Sequence, residues 1–386
     1  MKKVIMLLDN NFKSDARVER EAISLFENGY DVEVYAEKFD DLLNYEVRNN
    51  IKIFREIDKS IHRPLSKEYN FFKEKFVDEI VKKDFSILHC HDYKMLLLGA
   101  EIKKKKNDIK LIYDSHEYLA GFPFYKEIPT LKGKVKGWFI WKYYFEQEKK
   151  SIKYADKIIT ISQGIAEEMR KHFDLPDAPL VLRNIPSLFA LSSEKYFHKK
   201  FNISFDKKVI VSSGNLYFGE KRVKMLIDAA RESENIYLLF IGSTPKHKKL
   251  KNRIESLNLS DKVFFHDYIS SQEIGKLISN ADIGLVHTWQ PKWKSHWHSL
   301  PNRFFEYCLA GLPIVCTSQP EFVRLGNEFN NAVFYRGDKK NDLIKAIHNC
   351  LENYETLKQN ALKIRENLSW EKESEKLIEI YKCNLQ

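Results

Sequence analysis

The chain has 386 residues, with 64 Lys and Arg against 54 Asp and Glu, and its formal net charge is +10. At about 100–200 residues per domain, this length predicts two globular domains. The 26 Phe, 19 Tyr and 6 Trp exclude disorder as the main state, because this much apolar surface does not stay solvated. The positive charge favours an anionic partner, namely nucleic acid, a phosphorylated substrate or acidic lipid.

No segment approaches the about 18–20 consecutive apolar residues that a membrane-spanning helix needs. The apolar run Val4–Leu8 is too short for the core of an export signal and is better interpreted as a buried strand. Five cysteines without a Cys-x-x-Cys pair indicate reduced thiols rather than disulfides or a zinc site. We therefore expect a cytoplasmic protein.

The first half of the chain alternates short β-branched runs with longer helical patterns. Strands are predicted at Val4–Leu8, Asp31–Tyr35, Ile87–His91, Leu111–Tyr113, Lys157–Ser162 and Leu180–Arg183. Helices are predicted around Val18–Phe26, Met95–Lys105, Trp138–Lys153 and Gly164–Phe173. This repetition of strand, helix and strand predicts a parallel sheet with right-handed crossovers.

The second half repeats the pattern after a less periodic stretch, residues 185–207, which we expect to be a linker. Strands are predicted at Val209–Gly214, Ile236–Ile241, Val263–His266, Ile283–Val286 and Pro313–Cys316, and helices through Ala229–Ala230, Leu250–Leu257, Leu277 and Asn302–Ala310. The predicted fold class is therefore α/β, with two doubly wound, Rossmann-like domains that face each other across a cleft. They span residues 1–184 and 208–368, and a helix at 369–386 is expected to return toward the first domain. Ligands of such sheets bind at the carboxyl ends of the strands.

The most informative segment is Ser299–Val315. It predicts a helix that begins near Pro301 and ends before Gly311, followed by a buried strand. A helix N-terminus at the carboxyl end of a strand offers N–H groups and a partial positive charge to phosphate. Glu306 lies in the first turns of this helix; alternatively, it is a solvated residue that pairs with Arg303.

The run Asn302–Tyr307, together with Ala310–Pro313, resembles the donor-site motif of the retaining glycosyltransferases of family 4, which have the GT-B fold. The family pattern has two glutamates separated by seven residues, followed by a Gly-x-Pro strand entry. Glu306 matches the second glutamate, which binds the ribose hydroxyls in the family. His298 stands where the first glutamate would be, and a subset of the family lacks that acid.

A second stretch carries the same resemblance. Ser213–Leu216 followed by Glu220–Lys221 resembles the family segment Gly-Arg-Leu…Glu-Lys-Gly, whose arginine and lysine hold the donor diphosphate. Lys221 matches the lysine, Asn215 replaces the arginine and Arg222 replaces the glycine. Both cations suit a charge-assisted contact to phosphate. The alternative is two exposed basic residues that open a helix.

The segment Asp114–Glu117, which contains His116, follows directly after the predicted strand Leu111–Tyr113. In the family, the histidine at this strand end points at the donor sugar and the β-phosphate, which implies that role for His116. An imidazole can donate to the charge that develops on a phosphate. A structural histidine is the alternative, and Glu117 could be the polar group that orients it.

The resemblance extends to further donor-side residues. Phe240–Ser243 resembles the strand and turn beneath the nucleotide, and Val263–Tyr268 resembles the strand whose end faces the base. Catalytic roles are implied for His116, Lys221 and Glu306. The implied donor-binding set is Gly214, Asn215, Arg222, Gly242, Tyr268, His298, Ser299, Asn302 and Arg303.

The acceptor-side candidates are Asp15, Arg17 and Asp92. Ser14–Val18 resembles the family signature around the acceptor-facing loop, although helix capping is the stronger alternative for Asp15. His89–Asp92 resembles the His-x-His-Asp stretch of the family, in which Asp92 either contacts the acceptor or holds a loop. We expect no metal at the two histidines, because no further ligand set is apparent and the fold type usually needs none.

The segment Lys132–Phe145 places three spaced lysines before a cluster of Trp, Phe and Tyr. Cations for anionic headgroups and aromatic rings for the boundary describe an interfacial membrane segment. The alternatives are aromatic residues that pack into the core of the first domain and a nucleic-acid surface. Contact with an anionic membrane surface is the favoured interpretation, and no nucleic-acid partner is expected.

Together these features predict a retaining glycosyltransferase of the hexosyltransferase type, which moves a sugar from a nucleotide-diphosphate donor to a glycan or lipid-linked acceptor. The resemblance implies that residues 1–184 serve the acceptor and residues 208–368 bind the nucleotide sugar, without a further cofactor. Assembly of bacterial capsule, lipopolysaccharide or exopolysaccharide, with the enzyme peripheral on the inner face of the cell membrane, is the expected context. One alternative is a nucleotide-sugar epimerase, which would need acids across the cleft that we do not find. The other is a two-lobed binding protein, against which the lack of an export signal argues.

Overall fold

The computed structural model describes residues 1–214, 220–242, 247–270, 272–337 and 339–383, without the side chains of 220–222, 247–249 and 383. The chain divides into two units. Unit 1 comprises Met1–Arg183, Pro291–Ser299 and the residues from Glu373 onward, and unit 2 comprises Asn184–Gln290 and Leu300–Lys372. Each unit has its own sheet.

The sheet of unit 1 is mainly parallel. Its strands in the described residues are β1 (Lys2–Leu7), β2 (Tyr30–Glu37), β3 (Tyr45–Arg48), β4 (Ile51–Ile57), β5 (Ile87–His91), β6 (Lys110–Ser115), β7 (Lys157–Thr160) and β8 (Leu180–Val181). Their order is β3-β4-β2-β1-β5-β6-β7-β8, and within this described set only β3 runs antiparallel to its neighbour. The inner strands read as continuous apolar runs, because a parallel sheet is covered on both faces.

The sheet of unit 2 is parallel throughout its described strands. These are β9 (Lys208–Ser213), β10 (Ile236–Ile241), β11 (Val263–His266), β12 (Ile283–Val286), β13 (Ile314–Thr317) and β14 (Ala332–Tyr335). Their order is β11-β10-β9-β12-β13-β14. Apolar clusters on either side of this sheet form the core of the unit.

Helices connect the strands of both sheets. In the described chain they are α1 (Ala16–Glu27), α2 (Lys67–Val81), α3 (Asp92–Lys105), α4 (Leu131–Ser151), α5 (Gln163–Phe173), α6 (Tyr196–Lys200), α7 (Glu220–Glu232), α8 (His247–Ser256), α9 (Ile274–Ile278), α10 (Lys294–Trp297), α11 (Asn302–Leu309), α12 (Pro320–Phe329), α13 (Lys340–Glu352), α14 (Tyr354–Ile364) and α15 (Trp370–Cys383). None of the described helices is both long and apolar enough to cross a lipid bilayer. The end of α15 belongs to unit 1, where the buried Tyr381 hydroxyl lies 2.8 Å from His89 Nδ1.

Both sheets reverse their strand order at one point. β1 lies between β2 and β5, and β9 lies between β10 and β12. The loops that follow the two neighbouring strands leave in opposite directions at such a point, which opens a crevice at the carboxyl ends of the strands. Ligands are therefore expected beyond Leu7 and His91 in unit 1 and beyond Ser213 and Val286 in unit 2.

The predicted α/β class with two doubly wound domains is confirmed, but three stretches differ from the prediction. Residues 320–364 form α12, β14, α13 and α14, where no element was predicted. Residues 45–81 form β3, β4 and α2, where no element was predicted. Residues 185–207, expected to be a linker, pack as part of unit 2. Ile185, Phe197 and Ile203 are buried in its core, because this stretch supplies apolar side chains that cover one face of the sheet.

Candidate active site

A cavity of about 330 Å³ opens in unit 2 at the carboxyl ends of β9 and β10. Its volume lies within the range of about 300–1,000 Å³ that is usual for ligand sites. Apolar residues and a few polar groups line it: Ser213, Gly214, Ile241, Gly242, Tyr268, Ile269, Ile274, Pro301, Asn302, Arg303 and Glu306. This composition is typical of a site for a small molecule.

Two glycines shape the floor of the cavity. Gly214 and Gly242 have φ angles of +104° and +129°, in the region that favours glycine. A Cβ atom at Gly242 would lie 2.5 Å from the Gly214 carbonyl oxygen, so the two loops pack backbone against backbone. The floor therefore carries no side chains, and a ligand can approach the main chain closely.

The N-terminus of α11 forms another wall of the cavity. Pro301 is its N-cap residue and gives the first turn no side-chain cap, so this helix end suits an anion. The helix is fixed to the end of β9, because the buried Tyr307 hydroxyl accepts from Ser213 N at 2.8 Å. Arg303 Nη1 also donates to the Ser213 carbonyl oxygen at 2.9 Å.

Three side chains give the cavity its chemical character. Glu306 is half-buried, and its carboxylate can accept hydrogen bonds from two neighbouring hydroxyls. Arg303 supplies a cation whose guanidinium lies over Gly214. Tyr268 is 70% exposed and offers an aromatic face to a planar ring. The arrangement can therefore bind a hydroxylated, anionic molecule that carries a ring.

The structure places the predicted donor residues in three groups. The cavity brings together Gly214, Gly242, Tyr268, Asn302, Arg303 and Glu306. Asn215 lies outside the described residues, as do the side chains of Lys221 and Arg222, although both of the latter residues are in the first turn of α7. His298 and Ser299 belong to unit 1 and are not among the described residues that line the cavity. The His298 carbonyl oxygen accepts instead from Ser162 Oγ at 2.7 Å.

A buried cluster of charged side chains lies in unit 1, where β5 and β6 end. Asp114 is fully buried and pairs with Arg17 Nη2 at 2.9 Å. Arg17, in the first turn of α1, also pairs with Glu21 Oε1 at 2.9 Å and donates to the Leu182 carbonyl oxygen at 3.0 Å. Burial alone would favour the protonated form of Asp114, but Arg17 and His116 outweigh it and hold the pKa well below its ordinary value.

His116 is the partly exposed member of this cluster, with 18% of its side chain accessible. Its Nε2 lies 3.2 Å from Asp114 Oδ2 and 3.1 Å from Arg17 Nε, and its Nδ1 lies 3.8 Å from Asp92 Oδ2. Burial lowers the pKa of His116, but Asp114 and Asp92 outweigh burial and Arg17, and raise the pKa to about 9. This pKa favours the imidazolium form of His116 at neutral pH, and with it a positive charge at the end of β6.

Asp92 holds the backbone beside His116. It begins α3 with a φ of +64°, a left-handed conformation that aspartate adopts at a local cost. Its Oδ1 accepts from the backbone N–H groups of His116 at 2.9 Å and Glu117 at 3.1 Å. Burial raises the pKa of Asp92 to about 7. Strained residues of this kind concentrate at functional sites, which supports a site at this edge of the sheet.

The same cluster contains groups with metal-ligand chemistry. Ligand atoms of Glu21, His89, His91 and Asp114 lie within 4.8 Å of one another. Burial lowers the pKa of His89 to about 4 and that of His91 well below its ordinary value, so both imidazoles are neutral. The guanidinium of Arg17 contacts both carboxylates, so a divalent ion would meet a like charge. The four groups fit an arginine better than a metal ion, and the expectation of no metal stays a prediction.

The remaining acceptor-side candidates lie in α1 and just before it. Asp15 caps this helix, since its Oδ1 accepts from Val18 N at 3.2 Å. Arg17 is only 4% exposed. It contacts His116, so it is suited to hold that side chain in position. Glu21 was not predicted at all, although its i, i+4 spacing from Arg17 on a predicted helix is a signal that could have found it.

The basic and aromatic segment Lys132–Phe145 lies on α4. This helix begins at Leu131 rather than at the predicted Trp138, because the Thr130 hydroxyl caps its first turn. Tyr144 is buried and donates to a main-chain carbonyl oxygen at 3.2 Å, while Trp138 and Trp141 are half-buried. The aromatic residues are therefore divided between the core and the surface.

Two family models match the chain. The model described as Glycosyltransferase Family 4 matches residues 17–183, and the model described as Glycosyl transferases group 1 matches residues 193–367. Together with the two α/β units and the cavity, these matches define a glycosyltransferase with the GT-B fold. The chain belongs to the family 4 type of these enzymes, as the motif Asn302–Tyr307 predicted.

Known proteins resemble the chain over nearly its whole length. A glycosyltransferase of Methanocaldococcus jannaschii is 23% identical, over 95% of this chain and 93% of that protein. The structure of sucrose-phosphate synthase from Thermosynechococcus elongatus has a TM-score of 0.77 at 15% identity, covering 99% of this chain and 98% of that one. Anabaena HepE in complex with UDP-glucose has a TM-score of 0.70 at 16% identity, covering 99% and 100%. At these identities the structural likeness establishes the fold alone.

Proposed function

We propose that the protein is a retaining hexosyltransferase that uses a nucleoside-diphosphate sugar as its donor. The observation that carries the proposal is the cavity of unit 2, in which Glu306, Arg303 and the N-terminus of α11 surround a glycine floor. The carboxylate suits ribose hydroxyls, the cation and the helix end suit a diphosphate, and Tyr268 suits a base. The UDP-glucose complex of the Anabaena protein supports a donor of this class.

In the proposed reaction, the bond between the anomeric carbon and the phosphate oxygen breaks. The acceptor oxygen then bonds to the same face of that carbon, and the departing phosphate takes the proton of the acceptor hydroxyl. Lys221, Arg222 and the N-terminus of α11 stabilise the charge that develops on the diphosphate, and the imidazolium of His116 adds to this stabilisation. Asp92 is assigned to the acceptor. No metal takes part in the proposed steps.

The test of this function combines a binding screen with product analysis. A donor present at 100 times its Kd should stabilise the fold by about 2.7 kcal/mol, which thermal unfolding detects. The stabilising nucleotide sugar is then incubated with acceptors, and the product linkage is assigned by NMR. Retention of the donor's anomeric configuration supports the proposal. Inversion contradicts it, as does an epimerised nucleotide sugar formed without transfer.

We also propose that the enzyme works at the cytoplasmic face of a bacterial membrane, in the assembly of surface polysaccharide. The support is the exposed side chains of Lys132, Lys134 and Lys136 on α4, beside half-buried tryptophans, in a chain of net charge +10. Each lysine near an anionic surface contributes about 1 kcal/mol.

This membrane contact predicts binding to anionic vesicles and scarcely any to neutral ones. Binding should fall as salt rises, because the Debye length is only about 10 Å at 0.1 M. The triple change of Lys132, Lys134 and Lys136 to Glu should abolish co-sedimentation with vesicles. A wild-type protein that ignores anionic vesicles at low salt would contradict the membrane location.

A further inference from the structure

A second cavity lies in unit 1, between the loop of residues 62–66 and the first half of α4. It is an open groove of about 820 Å³, a volume within the usual range of ligand sites. We name it the α4 groove. Its apolar surface is formed by Leu65, Leu131, Val135, Phe139 and Ile140.

The α4 groove leaves large apolar side chains in contact with water. Leu65, Leu131, Val135 and Phe139 are 67%, 79%, 50% and 59% exposed. The three on α4 recur every fourth residue, so they lie on one face of the helix. A contiguous exposed apolar surface of this kind marks an interaction site. This face of α4 is therefore available to a partner.

The Lys and Arg side chains that line the groove give it positive charge. Arg63, Lys132 and Lys136 line it, and no Asp or Glu is among its described lining residues. Within the described chain, none of these three cations forms an ion pair with a carboxylate. An aliphatic channel edged by unpaired cations complements a molecule that has both a hydrocarbon chain and an anionic head.

One end of the groove is connected to the acceptor-side edge of the sheet. His62 lines the groove, and its Nδ1 lies 3.0 Å from Lys94 Nζ. Lys94 pairs at 2.8 Å with Asp9, which follows β1. Lys94 also belongs to the first turn of α3, which begins at Asp92, the residue that holds the backbone of His116. The groove therefore ends two side-chain contacts from the carboxyl end of β1.

We infer that the α4 groove binds the hydrocarbon chain of a lipid phosphate that carries the acceptor. The phosphate lies among Arg63, Lys132 and Lys136, and the acceptor hydroxyl lies toward the His62 end. This inference rests on the proposed function, since it specifies the substrate class of that reaction. It differs from membrane contact in general, because a single lipid molecule occupies the groove.

The first measurement is direct binding of farnesyl phosphate in the absence of donor and vesicles. Trp138 lines a smaller pocket beside the groove with Val135 and Phe139, so its fluorescence reports on occupancy. We expect a saturable change with farnesyl phosphate. Farnesol and inorganic phosphate should each bind at least about tenfold more weakly, because each offers only one of the two contacts.

Matched variants localise the binding. Leu65→Glu should weaken it by about tenfold or more, because it places a carboxylate in the apolar channel. Leu43→Glu is the control, since Leu43 is 69% exposed in the same unit and is not among the residues that line the groove. The double change of Lys132 and Lys136 to Glu should weaken binding, whereas the same change at Lys149 and Lys150, exposed on the same helix, should not.

The outcomes separate this inference from its alternatives. Equal binding by the wild type and Leu65→Glu overturns it, and so does equal affinity for farnesol. Binding to anionic vesicles without binding to monomeric farnesyl phosphate shows that this face contacts a bilayer only, and also overturns it. A dimer that Leu65→Glu dissociates identifies a second copy of the chain as the occupant. Donor binding is measured separately. If the protein binds farnesyl phosphate but no nucleotide sugar, the groove is a lipid site, and it is the proposed transferase function that fails.

Discussion

The cavity of unit 2 and the charged cluster of unit 1 both lie at the carboxyl ends of parallel strands, yet they are held together differently. In unit 2, main-chain groups form the floor and one wall, and Glu306 is only half-buried. In unit 1, Arg17 and Asp114 are buried and paired. Because a buried charge is costly without its partner, changes in unit 1 should affect folding. Changes in the cavity of unit 2 should affect only ligand binding.

The largest expected effect is a loss of stability in unit 1. Arg17→Met leaves Asp114 and Glu21 buried without their cation, and removing one partner of a buried pair costs about 3–5 kcal/mol. Lys75→Met on α2 is the matched control. Lys75 and Glu79 have the same i, i+4 spacing as Arg17 and Glu21, but their side chains are 67% and 52% exposed. Such exposed pairs contribute about 0–1 kcal/mol.

Urea denaturation measures both variants. We expect a free energy of unfolding that is clearly lower for Arg17→Met and nearly unchanged for Lys75→Met. Equal values for the two variants would show that the buried charges do not stabilise unit 1.

The second effect is on catalysis by the imidazolium of His116. His116→Gln removes its charge, and loss of one preorganised group of this kind lowers kcat by about 10²–10³-fold. In the wild type, kcat should fall as the pH rises through about 9, where His116 loses its proton. A pH profile of kcat checks this, with His348→Gln, an exposed position on α13, as the control. A falling limb that persists in His116→Gln would assign it to another group.

The titration of His116 also affects folding. Its pKa in the folded protein, about 9, lies above the ordinary value of 6.5. The stabilisation is therefore fully present below the unfolded pKa of about 6.5 and is lost as the pH rises through the folded pKa of about 9. The free energy of unfolding of the wild type should decrease over this window, and His116→Gln should flatten the decrease. An identical slope in both proteins would contradict the assigned pKa.

The third effect is confined to the donor. Glu306→Ala and Lys221→Ala should each weaken binding of a nucleoside diphosphate, since a hydrogen bond to a charged group contributes about 1.5–3 kcal/mol. Calorimetric titration measures the affinity. Glu328→Ala, 52% exposed on α12 of the same unit, is the control. Unchanged affinity in both test variants would contradict the donor assignment. A changed free energy of unfolding would show that these residues also stabilise unit 2, contrary to the difference expected between the two units.

The strands that the sequence predicted best are those that are buried on both faces. The bounds of β5, β10 and β12 agree with the predictions, because a buried parallel strand is a compact apolar run between polar loops. The bounds of β11 also agree, although it is an edge strand with mostly half-buried residues. β4 was missed, since the buried residues along it alternate with the half-buried Lys52 and Phe54 and the exposed Glu56. This two-residue period is typical of a strand that is buried on one face only. Such a strand contains no continuous apolar run, which was the pattern used to predict strands.

The site residues show the same limit at the level of side chains. The resemblance identified Glu306, and the end of a predicted strand identified His116, because both positions are local features. The pairing of Arg17 with Asp114 joins residues 97 positions apart, so only the folded sheet reveals it. The α4 groove was also not predicted, because the prediction for this segment rested on its lysines and aromatic residues and not on Leu131 and Val135.

The smallest expected effect is that of a chelator. It tests whether Arg17, rather than a metal ion, balances the buried carboxyl groups of unit 1. Glu21, His89, His91 and Asp114 are close enough together to bind a metal ion, but Arg17 already contacts both carboxyl groups. Burial also raises the pKa of Glu21 to about 8, which favours its uncharged form. A divalent ion would have to displace a guanidinium that makes several buried contacts. Breaking these buried contacts costs more free energy than breaking exposed ones would. We therefore expect EDTA to change neither the unfolding temperature nor the rate of sugar transfer, and added Zn²⁺ to give no stabilisation. A loss of activity in EDTA that a divalent ion restores would show that the cluster binds metal. It would contradict the assignment of Arg17 as the cation that pairs with these carboxyl groups.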